Sequence, residues 1–421
     1  MASKRAARPH PCSTPRRLAV AHWIAGTPPK PEVRPLILEA LSARLGRPIT
    51  HAEAGLQPAR SVGGGQPVDT VEELIDLGRA DMDPSRRGVL AATLFSAALS
   101  VPVFQHSARA ADDPVTPGKV TTRIGASQVA SVRSMTERIA DILDEFGAGH
   151  ARPMAAAFLV NTVGPWLRAQ ASGPVKRDIL AAASDLTYLT GWMAMYEKAH
   201  GLGQTYYVKA LKLADEAGDH VTYCRTLRGM SLQASNLGNR RTALELADSA
   251  AEAAPSAGPR LVAFLRGQQA HASSMVGDRH QAHARLREAE TALSQADNRR
   301  DAIGGYDQTA YLFHVSHVLM EEGDLAGSIN AMRQSIRFQP AQERQGRVHA
   351  YAVLAQRQLR YGHLDASCAS WRRFLDEYEH VSSVRGDDHF ATMRKDLAPY
   401  SKARPVRELA GRAREVAAAK A

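Results

Sequence analysis

Cysteine is scarce in this chain: Cys12, Cys224 and Cys368 are far apart in 421 residues and form no Cys-x-x-Cys spacing. That excludes a disulfide framework and a zinc knuckle, and it predicts a reducing compartment, the cytoplasm. No repeated run of about 20 apolar residues occurs, which excludes a multi-span membrane protein and predicts no stable membrane span. Aromatic residues are only 6% of the chain. In their place the sequence is rich in Ala, Leu and Arg, the residues least costly to place in a helix. An all-β sandwich, a collagen-like fibre and a wholly disordered chain are therefore poor fits. At 44% hydrophobic and 23% charged residues the composition suits a buried core, and 421 residues are too many for one ordinary core.

Negative charge is sparse at one end. Residues 1–60 hold ten Lys or Arg against three Glu and so carry most of the net charge of +10. The rest of the chain is close to neutral, and residues 61–90 hold six acids against three arginines. A basic end on a near-neutral body suits nucleic acid or another polyanion, or simply a solvated arm.

Read along the chain, residues 1–15 are basic and interrupted by Pro9, Pro11 and Pro15. A short helix over 16–25 stops at Gly26, prolines 28, 29 and 31 extend the chain, and an amphipathic helix follows over 32–45. The glycines of residues 61–67 lack the Gly-Lys-Ser/Thr ending of a phosphate-cradling loop and read as a linker. Val71 to Arg79 reads as a short acidic helix. Residues 84–110 join Ser85-Arg86-Arg87-Gly88-Val89-Leu90 to a moderately apolar run and then Ala108-Arg109-Ala110. This resembles a twin-arginine export signal, and export through it is the alternative to a cytoplasmic location. Against export, the motif stands far from the chain start, and the run with Pro102 makes a poor span. The favoured reading is an Ala-rich helix within a linker that extends to residue 125.

From residue 126 onward long amphipathic helices repeat. Gly191, Tyr207 and Ala210 begin a pattern of small and large positions. Later units carry turn glycines at Gly238, Gly277, Gly323 and Gly362, which are 39, 46 and 39 residues apart. Small residues follow each turn, as at Ala243, Ala282, Ser328 and Ser367. These are the small–large–small positions of a tetratricopeptide repeat with long connections. Residues 130–175 read as a capping helical pair, and Val406 to Lys420 as a last, exposed, charge-rich helix. The expected fold class is all-α: a partial helix-turn-helix module followed by a tetratricopeptide-like α-solenoid. Its expected segments are 1–60, 61–125, 126–400 and 401–421.

Such arrays line a concave surface with the first helix of each unit. Projected onto that face, Arg225, Arg228, Ser235, Asn236, His271, Ser274, His317, Gln356 and Arg360 make a polar, somewhat basic groove. That surface suits an acidic peptide, a carboxy terminus or a small anion. His280/His283 and His314/His317 stand at i, i+3 but have no third ligand nearby. Ser231, Ser273 and Ser316 lack a nucleophile context, and Glu321/Glu322 and Asp387/Asp388 read as solvated caps. No metal, no cofactor and no enzymatic activity are expected.

The stretch from His22-Trp23 through the prolines to Pro48 resembles the later part of the helix-turn-helix domain of actinomycete regulators of the phage-repressor type. Regulators of that family carry a DNA-binding amino end, an Arg-Arg apolar linker and a tetratricopeptide-like array. The resemblance implies that the helix ending at His22-Trp23 is the base-reading helix, with Arg16, Arg17, Lys30 and Arg34 on phosphates. A Pro-rich basic stretch stands where that family has two supporting helices, and a recognition helix depends on them for its placement. The expected function is transcriptional regulation, with DNA and a peptide or protein in the repeat groove as partners and a homodimer as a further assembly. The alternatives are a scaffold without specific DNA binding, and the exported repeat protein.

Overall fold

In the computed structural model, residues 69–83, 122–254, 258–296 and 306–420 are described, together with residues 37 and 104. The basic module of 1–60 and the Arg86-Arg87 motif lie outside them, and so do Arg16, Arg17, His22, Lys30 and Arg34. Residues 67–95 and 101–421 belong to one compact unit, which holds every element below. Among the described residues the structure is helical, with no strand beyond one isolated bridge between Arg123 and Gln170.

Helix α1 (Thr70–Met82) is followed by the pair α2 (Ala126–Phe146) and α3 (Ala148–Phe158). A π-turn (Leu159–Val163) leads from α3 into the short α4 (Gly164–Arg168). Five helical hairpins succeed it. They are α5 (Gly173–Tyr196) with α6 (His200–Ala217), α7 (His220–Asn236) with α8 (Arg240–Glu252), and α9 (Pro259–Met275) with α10 (Arg279–Ser294). Then come α11 (Gln308–Glu321) with α12 (Leu325–Phe338), and α13 (Arg344–Arg360) with α14 (Leu364–Tyr378). Helices α15 (Val384–Leu397) and α16 (Arg404–Lys420) end the chain.

The four turn glycines sit where the repeat pattern places them, with φ between +75° and +92°. Only glycine adopts that conformation without a Cβ penalty. At two of these turns the next residue, Asp278 or Asp324, caps the following helix through its carboxylate. In the first unit a Cβ on Gly191 would lie 2.9 Å from Tyr207 Cδ1 and 3.0 Å from the Gly203 carbonyl, so the backbones of α5 and α6 meet there.

Serines staple most hairpins internally. Ser184 donates to the Ala210 carbonyl, Ser231 to Ala243, Ser316 to Ser328, and Ser367 to Ala355. Ser231 and Ser316 are therefore structural donors. All four are fully buried, so replacing one strands a carbonyl. Ser367→Ala is expected to cost about 1 kcal/mol, read as a lower urea midpoint with unchanged slope.

In α2, Met135 and Phe146 stand exposed while Ile139 and Leu143 are buried, so its buried apolar face is narrow. The last helix is less exposed than expected. Helix α16 keeps charge on its outer side but buries Val406, Leu409, Ala413 and Val416 against α14 and its neighbours. Four apolar residues at spacings of three and four make one helical face. Helix α1 is also anchored: its buried Asp81 takes an ion pair from Arg152 and a 3.1 Å hydrogen bond from Tyr206.

The array closes on itself. Helix α13 packs against α2. Ser382 N–H donates to the Phe146 carbonyl at 2.8 Å, and Gly149 N–H donates to the Ser382 carbonyl at 3.0 Å. Val384 N–H donates to Glu197 at 3.3 Å, and Lys198 pairs with Asp388. Asp387 accepts from Tyr378. Asp388 is thus a tie within the closure, and Asp387 a tie between α14 and α15, rather than free caps. Glu322 likewise departs from the solvated reading, bonding His283 at 3.0 Å.

Candidate functional site: the inner face of the array

Closure turns the first helices of the units toward one another and surrounds the side chains between them. Helix α5 contributes Tyr188, Trp192 and Tyr196 at i, i+4 spacing, which places three rings on one stripe. Their centroids are 6.4 and 5.6 Å apart in succession. Helix α7 contributes Arg225 and Arg228, α9 Phe264 and His271, and α11 Phe313 and His317. Helix α13 contributes His349, Gln356 and Arg357, and α15 Arg385 and His389.

Ring contacts run along this face in two stretches. Arg228 lies 4.1 Å over the Phe264 ring and 5.7 Å from that of Trp192. His271 stands 4.9 Å from His317, His317 4.5 Å from Phe313, and Phe313 5.8 Å from His349. His349 stacks on His389 at 5.2 Å. Arg385 donates to His349 Nε2 at 3.1 Å and lies 5.5 Å over Tyr196, which returns the path to α5.

The guanidinium of Arg385 can only donate, so His349 Nε2 accepts and its Nδ1 carries the proton. That proton faces His389 Nε2 at 3.0 Å. Both imidazoles are held neutral in this arrangement. Burial, then the positive charge of Arg385, pushes His349 well below its ordinary range and His389 down to about 4. Burial does the same to His317, and to His271, which falls to about 4 with Arg228 and Arg357 adding to the effect.

Of the four arginines, Arg225 is paired with a carboxylate, Asp185, and lies 5.1 Å over Tyr188. Arg357 donates to Ser316 and Arg385, which is partly buried, to His349. Arg228 is 6% exposed and its Nε has no hydrogen-bond partner. Among the described residues no carboxylate forms an ion pair with Arg228 or Arg385. Burial lowers the proton affinity of both, yet a guanidinium stays charged in a protein. Buried charge without counter-charge is costly, because neither water nor an ion repays the desolvation.

Of the residues projected from sequence, Arg228, His271, His317 and Gln356 come together on this face, Gln356 lying 3.4 Å from His389. Arg225 borders it beside Asp185. Asn236 is exposed at the end of α7, with its amide 3.8 Å from the Met195 sulfur, and Arg360 is exposed on the last turn of α13. Ser235 and Ser274 bond carbonyls of their own helices. His314 is taken by the Tyr306 hydroxyl at 3.0 Å. Among the described residues no group of three or more His, Cys, Asp or Glu is placed to hold a metal. Sequence reasoning passed over Trp192, Tyr196, Phe264, Phe313, His349, Arg385 and His389. Extending the helical spacing from Gln356 back seven residues reaches His349, but Arg385 and His389 join only through closure.

No helix among the described residues is long and apolar enough to cross a membrane. No curated protein matches the chain. Residues 6–57, the basic amino end, match the family described as SP15 N-terminal domain, and this likeness leaves the helical array outside it.

Proposed function

We propose that the chain is a transcriptional regulator in which the basic amino end engages DNA and the helical array captures an acidic ligand. The observation that carries the ligand half is the pair of enclosed guanidinium groups, Arg228 and Arg385, without counter-charge among the described residues. A cation kept at the cost of its own desolvation is compensated when an anion arrives. Support for the DNA half comes from the charge of residues 1–60 and from the helix-turn-helix resemblance around His22 and Trp23. Ligand capture acts on DNA binding by favouring one state of the array over another.

Fluorescence anisotropy with fragments of the DNA upstream of its own gene tests this reading. The full chain and a chain lacking residues 1–60 are run across a salt titration. A regulator prefers one fragment at physiological salt and loses that preference on deletion. Weak binding, indifferent to sequence and gone by moderate salt, leaves the second reading: a tetratricopeptide-like interaction scaffold with a basic arm. The same closed, polar inner face favours that reading equally if DNA recognition fails.

A further inference from the structure

We propose that the groove between α15 and α16 is a docking site for an amphipathic helix of a partner protein, one whose apolar stripe is flanked by acidic residues. The two helices lean on different members of the fifth hairpin, α15 on α13 and α16 on α14. A groove of about 310 Å³ remains between them. None of its lining residues belongs to the inner face, so the proposal goes beyond the acidic ligand of the array and stands apart from it.

Each bank of the groove is one helical stripe. On α15, Phe390, Met393 and Leu397 recur at spacings of three and four, and on α16 Leu409, Ala413 and Ala417 recur at a spacing of four. Met393, Leu397 and Leu409 are buried at the floor, while Ala410 and Ala417 are exposed along one side, so the groove is open to the surface. Small side chains let another helix approach α16 closely, because interaxial distance follows side-chain size. The lining of α16 runs from Val406 to Ala417, about 16 Å along its axis. A helix of about three turns therefore finds two stripes to pack between. An acyl chain laid in this open trough would leave its outer side in water.

Charge selects the helix. Arg394 stands on one bank and Arg414 on the other, both exposed. Among the described residues neither is in an ion pair, and Arg414 donates to the Ala410 carbonyl of its own helix at 3.3 Å. No acidic residue stands among the described residues that line the groove. Cations on both sides of an apolar trough complement a helix with acids on both sides of its stripe. Helix α1 of a second copy does not meet this need, although it is acidic and amphipathic. It buries Val71, Leu74 and Ile75, and it commits Glu72 to Arg168 and Glu73 to Lys209.

Fluorescence anisotropy on the full chain at low ionic strength tests the proposal with a labelled peptide of about four helical turns. The peptide carries leucines at i, i+3, i+4 and i+7 spacing, with glutamates on either side of them. Beside it run the same peptide with lysine for glutamate, and one of equal composition with the leucines out of helical spacing. The glutamate peptide is expected to bind at least tenfold tighter than either. Ala410→Trp fills the exposed side of the groove and abolishes binding. A chain with Arg394→Glu and Arg414→Glu reverses the preference and takes the lysine peptide over the glutamate one. Both arginines are exposed, so this chain unfolds at the temperature of the parent. A reversed preference separates docking from damage to the fold, which could only lose binding.

Equal binding of the glutamate and lysine peptides overturns the proposal, as does binding that Ala410→Trp leaves unchanged, or no binding of any peptide. Dodecanoate bound where the peptides are not would make the groove a lipid site. Self-association abolished by Ala410→Trp, without peptide binding, would make it a contact between copies. Either result also overturns the proposal.

Discussion

Gly147→Val is expected to open the array. At this position φ is +92°, a region that strains any residue with a Cβ, and more so a β-branched one. A Cβ there would lie 2.6 Å from Val381 Cγ1 and closer still to the Ser382 carbonyl oxygen. The clash falls on backbone, which cannot swing aside as a side-chain end can. Strain of about 1–3 kcal/mol adds to the loss of the two Ser382 backbone bonds, each about 1 kcal/mol net. Opening is then easier by roughly 3 kcal/mol or more, which is about a hundredfold in the exchange rate of the Gly149 and Ser382 amides. Hydrogen exchange reads this directly, and small-angle scattering reads the larger radius. The rest of the array remains folded, since its core lies in several separate clusters, each shared by neighbouring helices. Gly238→Ala is the control: φ is +75° but nothing lies within 4 Å of its Cβ, so the cost is confined to one turn. Unchanged exchange at Gly149 in Gly147→Val would show that the closure is held elsewhere.

Closure and ligand capture are linked through the same two cations. Opening the array returns water to Arg228 and Arg385, and closing it removes that water. An anion that compensates them in the closed form binds that form better, so it shifts the balance toward closure. The Gly147 variant accordingly loses affinity for an acidic ligand although no residue of the inner face has changed.

The repeat was legible because its signals are local. A left-handed turn demands glycine and a close helix crossing demands a small residue, so Gly277-Asp278 and Gly191 announce themselves in the chain. The inner face was half legible: one helical projection reached Arg228, His271 and His317. What sequence could not supply was the meeting of residues almost 200 positions apart. Nothing near Asp388 says that Lys198 will pair with it, and nothing near Arg385 names Tyr196. These contacts depend on the curvature accumulated over five hairpins. Helix α16 failed for a different reason. Its charges dominate the composition and mask the Val406, Leu409, Ala413 and Val416 stripe.

Acid is expected to destabilise the array well before ordinary carboxylates titrate. His271, His314, His317, His349 and His389 all have proton affinities below the ordinary 6.5, from burial first and neighbouring charge second. The charges that face them are Arg228, Arg357, Arg385 and Lys198, with Asp388 alone opposing at His389. An unfolded chain protonates these imidazoles near 6.5 and the folded chain does not, so unfolding takes up protons below about 6.5, down to about 4 for His271 and His389. Stability is therefore full above 6.5 and is lost as pH falls through that window. For His271, with a folded value of about 4, the full loss is roughly 3 kcal/mol. Three groups work the other way. Burial, with Glu343 and Asp141 nearby, raises Asp144 to about 7, and burial also raises Glu197 and Glu216, so their contributions are present at low pH and lost as pH rises. Five lowered histidines stand against these three carboxyls. Urea unfolding at pH 5.0 is thus expected to give a stability several kcal/mol below that at pH 7.5, and His271→Gln to flatten the difference. Equal stability at the two values would mean that the imidazoles are solvated rather than enclosed.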